Sequence, residues 1–196
     1  LKRICLKADS LLEGCMMGRN QYQPFQPVLS TSGLQRFGLG LEQRRATKPL
    51  SRVVHSYLQI TTDSPLSYAL IPDGTQAVFM SRHGSFVGGV QSQATDIPIA
   101  QAGEYFGIRF YPGALPCFFA DKVSEITDGY VSSDYFSCSN FSRLHESVYA
   151  QSDFLGRSNV CEQWLLSRYQ PLERKPFEQA LSLIYQASGD IAVAEI

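Results

Sequence analysis

Between Ser67 and Tyr111 the chain repeats one unit: a short run of alternating apolar and polar residues, closed by turn chemistry. The runs are Ser67 to Ile71, Ala77 to Ser81, Phe86 to Val90, Asp96 to Ala100 and Tyr105 to Tyr111. Pro72-Asp73-Gly74, Arg82-His83-Gly84 and Ala102-Gly103-Glu104 lie between them. Short strands with turns at regular spacing predict an antiparallel sandwich or barrel. Side chains alternate along a strand, so Phe106, Ile108 and Phe110 share one face of the last run and Tyr105, Gly107, Arg109 and Tyr111 the other. That spacing sets a single guanidinium among tyrosines.

The flanks read differently. Leu1 to Gly14 carries Ile4, Leu6, Leu11 and Leu12 and fits a short helix. Pro24 and Pro27 break any helix after Asn20, whereas Leu34, Phe37, Leu39 and Leu41 alternate around Gly38 and Gly40 as a strand does. The segment from Leu50 to Ile60 begins as a helical turn after Pro49 and becomes extended. Beyond Pro112-Gly113 the pattern turns helical, with a short helix over Ala114 to Phe119 and a turn over Val123 to Ile126. No strand signal follows. Phe141, Leu144, Val148 and Tyr149 fit one helix face and Val160, Trp164, Leu165 and Tyr169 another, with the break placed at Gly156. Pro171 and Pro176 bracket a linker, and Phe177, Ala180, Leu181, Ile184 and Tyr185 form a last amphipathic stripe ended near Gly189. Strands first and helices second predict an α+β chain.

Composition limits the function classes. The 196 residues carry a net charge of -1, which gives no basic footprint for gripping nucleic acid. No apolar run is long enough for a membrane span, and Lys2, Arg3, Lys7, Asp9 and Glu13 interrupt any signal-peptide core. A soluble, cytoplasmic protein is expected. The cysteines at 5, 15, 117, 138 and 161 never reach Cys-x-x-Cys spacing, so they read as reduced thiols packed as small hydrophobes.

Catalytic constellations are scarce. Neither Gly38-Leu39-Gly40 nor Gly84 to Gly89 completes a phosphate loop, and no G-x-S-x-G elbow occurs. His55, His83 and His145 stand apart, whereas a barrel metalloenzyme sets two histidines close together on one strand, so no metal and no cofactor is expected. Asp73, before Gly74, serves its own turn. Arg109 has two readings: an anchor for an anionic or planar ligand, or an arginine packed on tyrosines and paired with a carboxylate.

Several strings occur in a telling order: Leu70-Ile71-Pro72-Asp73-Gly74, Ala77-Val78-Phe79, Gly88-Gly89-Val90-Gln91-Ser92, Gly107 to Ala114 (GIRFYPGA) and Glu125-Ile126-Thr127-Asp128. Together they resemble the N-terminal, cupin-like sensor domain of one branch of AraC-type bacterial transcriptional regulators, over about Pro49 to Asp134. Ser188 to Ile196 looks like the opening of the first helix of that family's paired helix-turn-helix domain, with Glu195 reaching back toward position 192 as in a capping box. Ala192 departs from the pattern, since it cannot cap.

The resemblance implies a non-enzymatic regulator fragment: an antiparallel cupin-like β-barrel with an N-terminal helical extension over 1–134, a helical dimerisation and linker region over 135–187, and a truncated helix-turn-helix start over 188–196. It implies a small-molecule effector in the barrel, a homodimer, and DNA contact only through the missing C-terminal domain. The expected pocket is Tyr68, Phe79, His83, Arg109 and Tyr111; the expected dimer surface is Leu144, Val148, Val160, Trp164 and Leu165. The rival reading is a cupin-type enzyme, a metal-dependent oxygenase or isomerase.

Overall fold

The computed structural model describes residues 22–120, 123–135, 140–173 and 175–196. The helix expected over Leu1 to Gly14, and Cys5, Cys15 and Cys138, lie outside the described residues. Residues 24–173 form one compact unit, and residues 175–196 belong to a second.

The first unit is built on antiparallel strands: β1 (Leu39–Arg44), β2 (Val54–Thr62), β3 (Leu66–Leu70), β4 (Gln76–Ser81), β5 (Gly84–Gly88), β6 (Thr95–Ile99), β7 (Gly103–Phe110) and β8 (Tyr130–Ser132). A short helix, α1 (Thr31–Gln35), precedes them. A six-stranded sheet has the order β1-β2-β7-β4-β5-β8, and β3 pairs with β6 in a two-stranded sheet. The chain is therefore α+β with antiparallel sheets, as the alternation predicts. Among the described residues the larger sheet ends at β1 on one side and β8 on the other and does not close into a barrel.

The two faces of the larger sheet pack against different things. On the outer face Tyr57, Val78, Met80, Val87, Phe106, Ile108 and Phe110 are buried with Leu115, Phe141, Leu144, Val148, Phe154, Cys161 and Leu165. The last six come from helices α2 (Phe141–Tyr149) and α3 (Phe154–Leu166). On the inner face Leu39, Leu58 and Ile60 meet Tyr68 of β3 and Ile99 of β6, with Leu29 from the preceding segment. Gln26 anchors that segment: its side-chain amide accepts from the Ile71 N–H (3.1 Å) and donates to the Ile71 carbonyl, as a neighbouring strand would.

Buried polar bridges join α3 to the sheet. Glu162 accepts from Arg44 (2.9 Å), from the Thr47 N–H (2.7 Å) and from the Thr47 hydroxyl (2.6 Å). Arg157 donates to Gln59 Oε1 (2.6 Å), pairs with Glu104 (2.8 Å) and lies over the Tyr149 ring. Tyr149 in turn donates to the carbonyls of Met80 and Glu104, and burial pushes its hydroxyl up to about 12.

The structure moves some sequence boundaries. The 3-10 turn at Leu50–Arg52 leading into β2 matches the expectation, but the Leu34 to Leu41 stretch divides into α1 and β1. The helical break falls before Asp153, not at Gly156. Asp153 caps α3, its carboxylate accepting from the Gly156 N–H (2.7 Å), so glycine sits in the first turn. β8 lies where no strand is expected.

In the second unit, α4 (Lys175–Gln186) begins around Pro176 rather than after it, and Gly189, at φ 81°, closes it with an N–H donated to the Ile184 carbonyl (2.8 Å). The 188–196 segment forms a single 3-10 turn, Val193–Glu195, in which Glu195 accepts from the Ala192 N–H (3.3 Å). Ala192 offers no side-chain acceptor in return, so the capping box is half made.

Candidate functional site

The inner face of the large sheet changes character along its length. Cross-strand partners carry their side chains on one side, so the register fixes what this face presents. Leu39 and Leu41 on β1, Ile60 and Leu58 on β2, and Tyr105 on β7 make an apolar end. Farther along, the same strands present Gln43, Ser56 and Arg109, and Ser56 stands directly across from Arg109.

Arg109 is buried, and its guanidinium pairs with the Asp73 carboxylate and donates to the Thr75 hydroxyl (3.2 Å). Asp73 Oδ1 accepts from the Thr75 N–H (3.1 Å) and hydroxyl (2.6 Å), the side-chain turn expected before glycine. Asp73 thus closes its own turn with one oxygen and neutralises Arg109 with the other. The ion-paired reading describes this arginine, and its charge is already matched.

His55 sits beside this pair because of a bulge. Val54 pairs with Phe110 and Ser56 with Arg109, leaving His55 as the extra residue on β2. Burial, aided by the nearby charges of Arg109 and Arg45, lowers its pKa to about 3, so the ring is neutral at physiological pH. Ser56 Oγ accepts from Gln43 Nε2 (2.9 Å) and is hydrogen-bonded to His55 Nδ1, 3.0 Å away. His55 Nε2 is buried without a hydrogen-bond partner among the described residues. The ring meets Tyr111 edge-on at 5.4 Å.

The expected pocket residues divide. Tyr68, Phe79 and Arg109 face the inner side; Tyr68 is buried, which pushes its hydroxyl up to about 12 against the opposing charge of Arg109. The Phe79 ring packs so closely over Gly107 that a Cβ there would come within 2.8 Å of it. Tyr111 lies past the end of β7, packs against the outer-face core and reaches the group through His55. His83 does not join them. It is exposed in the β4–β5 turn, whereas Arg109 pairs with Ala77 near the opposite end of β4. The sequence reading missed the contribution of His55, Ser56 and Gln43: a bulge leaves no mark on the alternation of apolar residues.

Of the residues assigned to a dimer surface, Leu144, Val148 and Leu165 are fully covered by the chain's own core. Val160 and Trp164 are half-buried, with Arg168 stacked over the indole at 4.5 Å. Among the described residues no three of His, Cys, Asp and Glu gather closely enough to hold a metal ion, and no helix is long and apolar enough to cross a membrane.

The strings singled out in the sequence meet one another in space. Pro72-Asp73-Gly74 joins the Gly107 to Ala114 string through the Asp73–Arg109 pair. Asp128 joins the Gly88 to Ser92 string: its carboxylate accepts from the Ser92 N–H (2.6 Å) and hydroxyl (2.7 Å), which holds its pKa below the usual carboxylate range. Gly89 is needed at this clasp, because a Cβ there would lie 1.8 Å from the Ile126 carbonyl oxygen.

Residues 42–132 match a family described only as a domain of unknown function (DUF6597). The match runs from β1 to the end of β8 and stops before α2. No curated protein and no solved structure matches the chain.

Proposed function

We propose that the chain is the cupin-like sensory portion of an AraC-type transcriptional regulator, acting with a C-terminal helix-turn-helix domain that it does not itself include. On this reading it is not an enzyme; it dimerises, works in the cytoplasm and takes a small effector on the inner face of the sheet. One observation supports the reading above the others: the strings that carry the resemblance, scattered from Pro72 to Asp128, are paired with one another by the Asp73–Arg109 and Asp128–Ser92 contacts. Unrelated short matches have no reason to contact each other, whereas strings that specify one fold do.

The test is promoter association. Chromatin immunoprecipitation of the tagged full gene product is expected to give discrete promoter peaks, and reading the gene past the codon for Ile196 is expected to show a basic tandem helix-turn-helix. Uniform background across the genome, or a gene without that domain, overturns the proposal.

A further inference from the structure

The small β3–β6 sheet does not reach across the whole inner face. It packs with residues of β1, β2 and β7 and with Phe79 of β4. Farther on, Ala77, Gly88 and Phe86 retain solvent exposure although β4 and β5 are interior strands of the sheet. Their neighbours on the opposite face, Val78 and Val87, are fully buried, so the exposure belongs to the inner face alone.

The register shapes that open strip. One cross-strand row reads Arg109, Ala77, Gly88, Tyr130, and the next reads Gly107, Phe79, Phe86, Ser132. Two small residues thus lie between tall ones: Arg109 with Asp73 and Thr75 at one end, Tyr130 at the other, and the Phe79 and Phe86 rings along a side. Phe86 and Tyr130 meet edge-to-face at 5.8 Å and are 45% and 67% exposed. At about 4.8 Å per strand the Arg109-to-Tyr130 row spans about 14 Å, enough to seat one or two fused rings. Its inner-face residues on β4, β5 and β8 include no acid or base other than the tyrosine phenol, and the adjoining Arg109 charge is matched by Asp73.

We infer that this hollow, floored by Ala77 and Gly88 and walled by Phe79, Phe86 and Tyr130, binds a flat, uncharged aromatic ring. The inference deepens the sensor reading above and rests on it for its biological meaning. Aromatic walls favour ring faces and edges. Among the described residues, an anion finds no uncompensated cation on the strands of the hollow, and a sugar finds few polar groups for its hydroxyls.

Gly88 supplies the test, because a Cβ placed there meets only the Ala77 carbonyl oxygen at 3.8 Å, an ordinary contact. Gly88→Ile should fill the hollow without disturbing the sheet, and Tyr130→Ala should remove a wall that carries no core packing. Saturation-transfer NMR on the full chain, with indole as the probe and benzoate and glucose as comparisons, is expected to show saturable binding of indole alone. Each variant should weaken it at least tenfold while the melting temperature stays within a few degrees. Absence of saturable indole binding, binding unchanged in both variants, or preference for benzoate or glucose overturns the inference. Promoter association is read separately, so an empty hollow and a failed regulator reading are distinguishable.

Discussion

The two faces of the six-stranded sheet are made by the same strands, yet they are finished in opposite ways. The outer face is sealed by α2 and α3, and its polar groups are bridges that hold α3 down: Arg157 to Gln59 and Glu104, Glu162 to Arg44 and Thr47. The inner face is covered over part of its width, and its polar groups form a cluster at the strand ends around Arg109 and His55. Alternation along a strand separates the two environments by a single residue. Val87 is fully buried and Phe86, its neighbour, is 45% exposed. Both faces carry buried packing, and the strip around Phe86 and Tyr130 on the inner face is the part left exposed.

Substitutions that respect this division should differ widely in cost. Phe106→Ala, on the sealed face between Tyr57 and Phe154, is expected to lose about 3–5 kcal/mol in urea unfolding. A loss below about 1 kcal/mol would mean the helices do not seal that face. Asp73→Ala should cost about 3 kcal/mol, because it strips the buried Arg109 of its carboxylate. The double variant Asp73→Ala with Arg109→Met should recover part of that loss, which a double-mutant cycle would read directly.

The His55 effect depends on pH, and its sign follows from linkage. The folded pKa, about 3, lies below the unfolded value of 6.5, so the unfolded chain binds the extra proton as acid is added. The folded state is favoured in full above pH 6.5 and loses ground as pH falls from there toward 3, by up to about 1.4 kcal/mol per unit. His55→Gln should flatten that part of the profile, and parallel wild-type and variant curves between pH 7 and 5 would remove His55 as its cause. The smallest effect is expected from Phe86→Ala, within about 0.5 kcal/mol; a loss above about 2 kcal/mol would show that the inner face is covered there after all.

The sequence was legible where local chemistry decides the outcome. Pro-Asp-Gly and Arg-His-Gly set turns, and the strands on either side came within a few residues of their observed bounds because an alternating run can satisfy a half-buried sheet in only one phase. It was illegible where a distant partner decides. β8 has only Val131 packed against the core, too little alternation to read as a strand. Gly156 looks like a helix breaker until Asp153 is known to cap the turn that contains it. The group at the strand ends needed three facts no spacing reveals: the His55 bulge, the reach of Arg109 to a residue 36 positions earlier, and the direction of β4, which carries His83 away. The helical residues Leu144, Val148 and Leu165 were recognised as one apolar stripe, but periodicity does not say whether the chain's own sheet or a second chain covers it.

The ends of the six-stranded sheet bear on how the protein behaves when crowded. An unpaired strand edge is a template on which another chain can add itself, and each terminal strand here blunts that template in its own fashion. β1 offers Glu42, Gln43 and Arg44 over half its length, so an incoming apolar strand would have to be stripped of water beside charges. β8 is only three residues long, too brief to start a cross-chain ladder. Among the described residues, the sheet that carries the exposed aromatic strip thus ends on two strands that each discourage the addition of another chain.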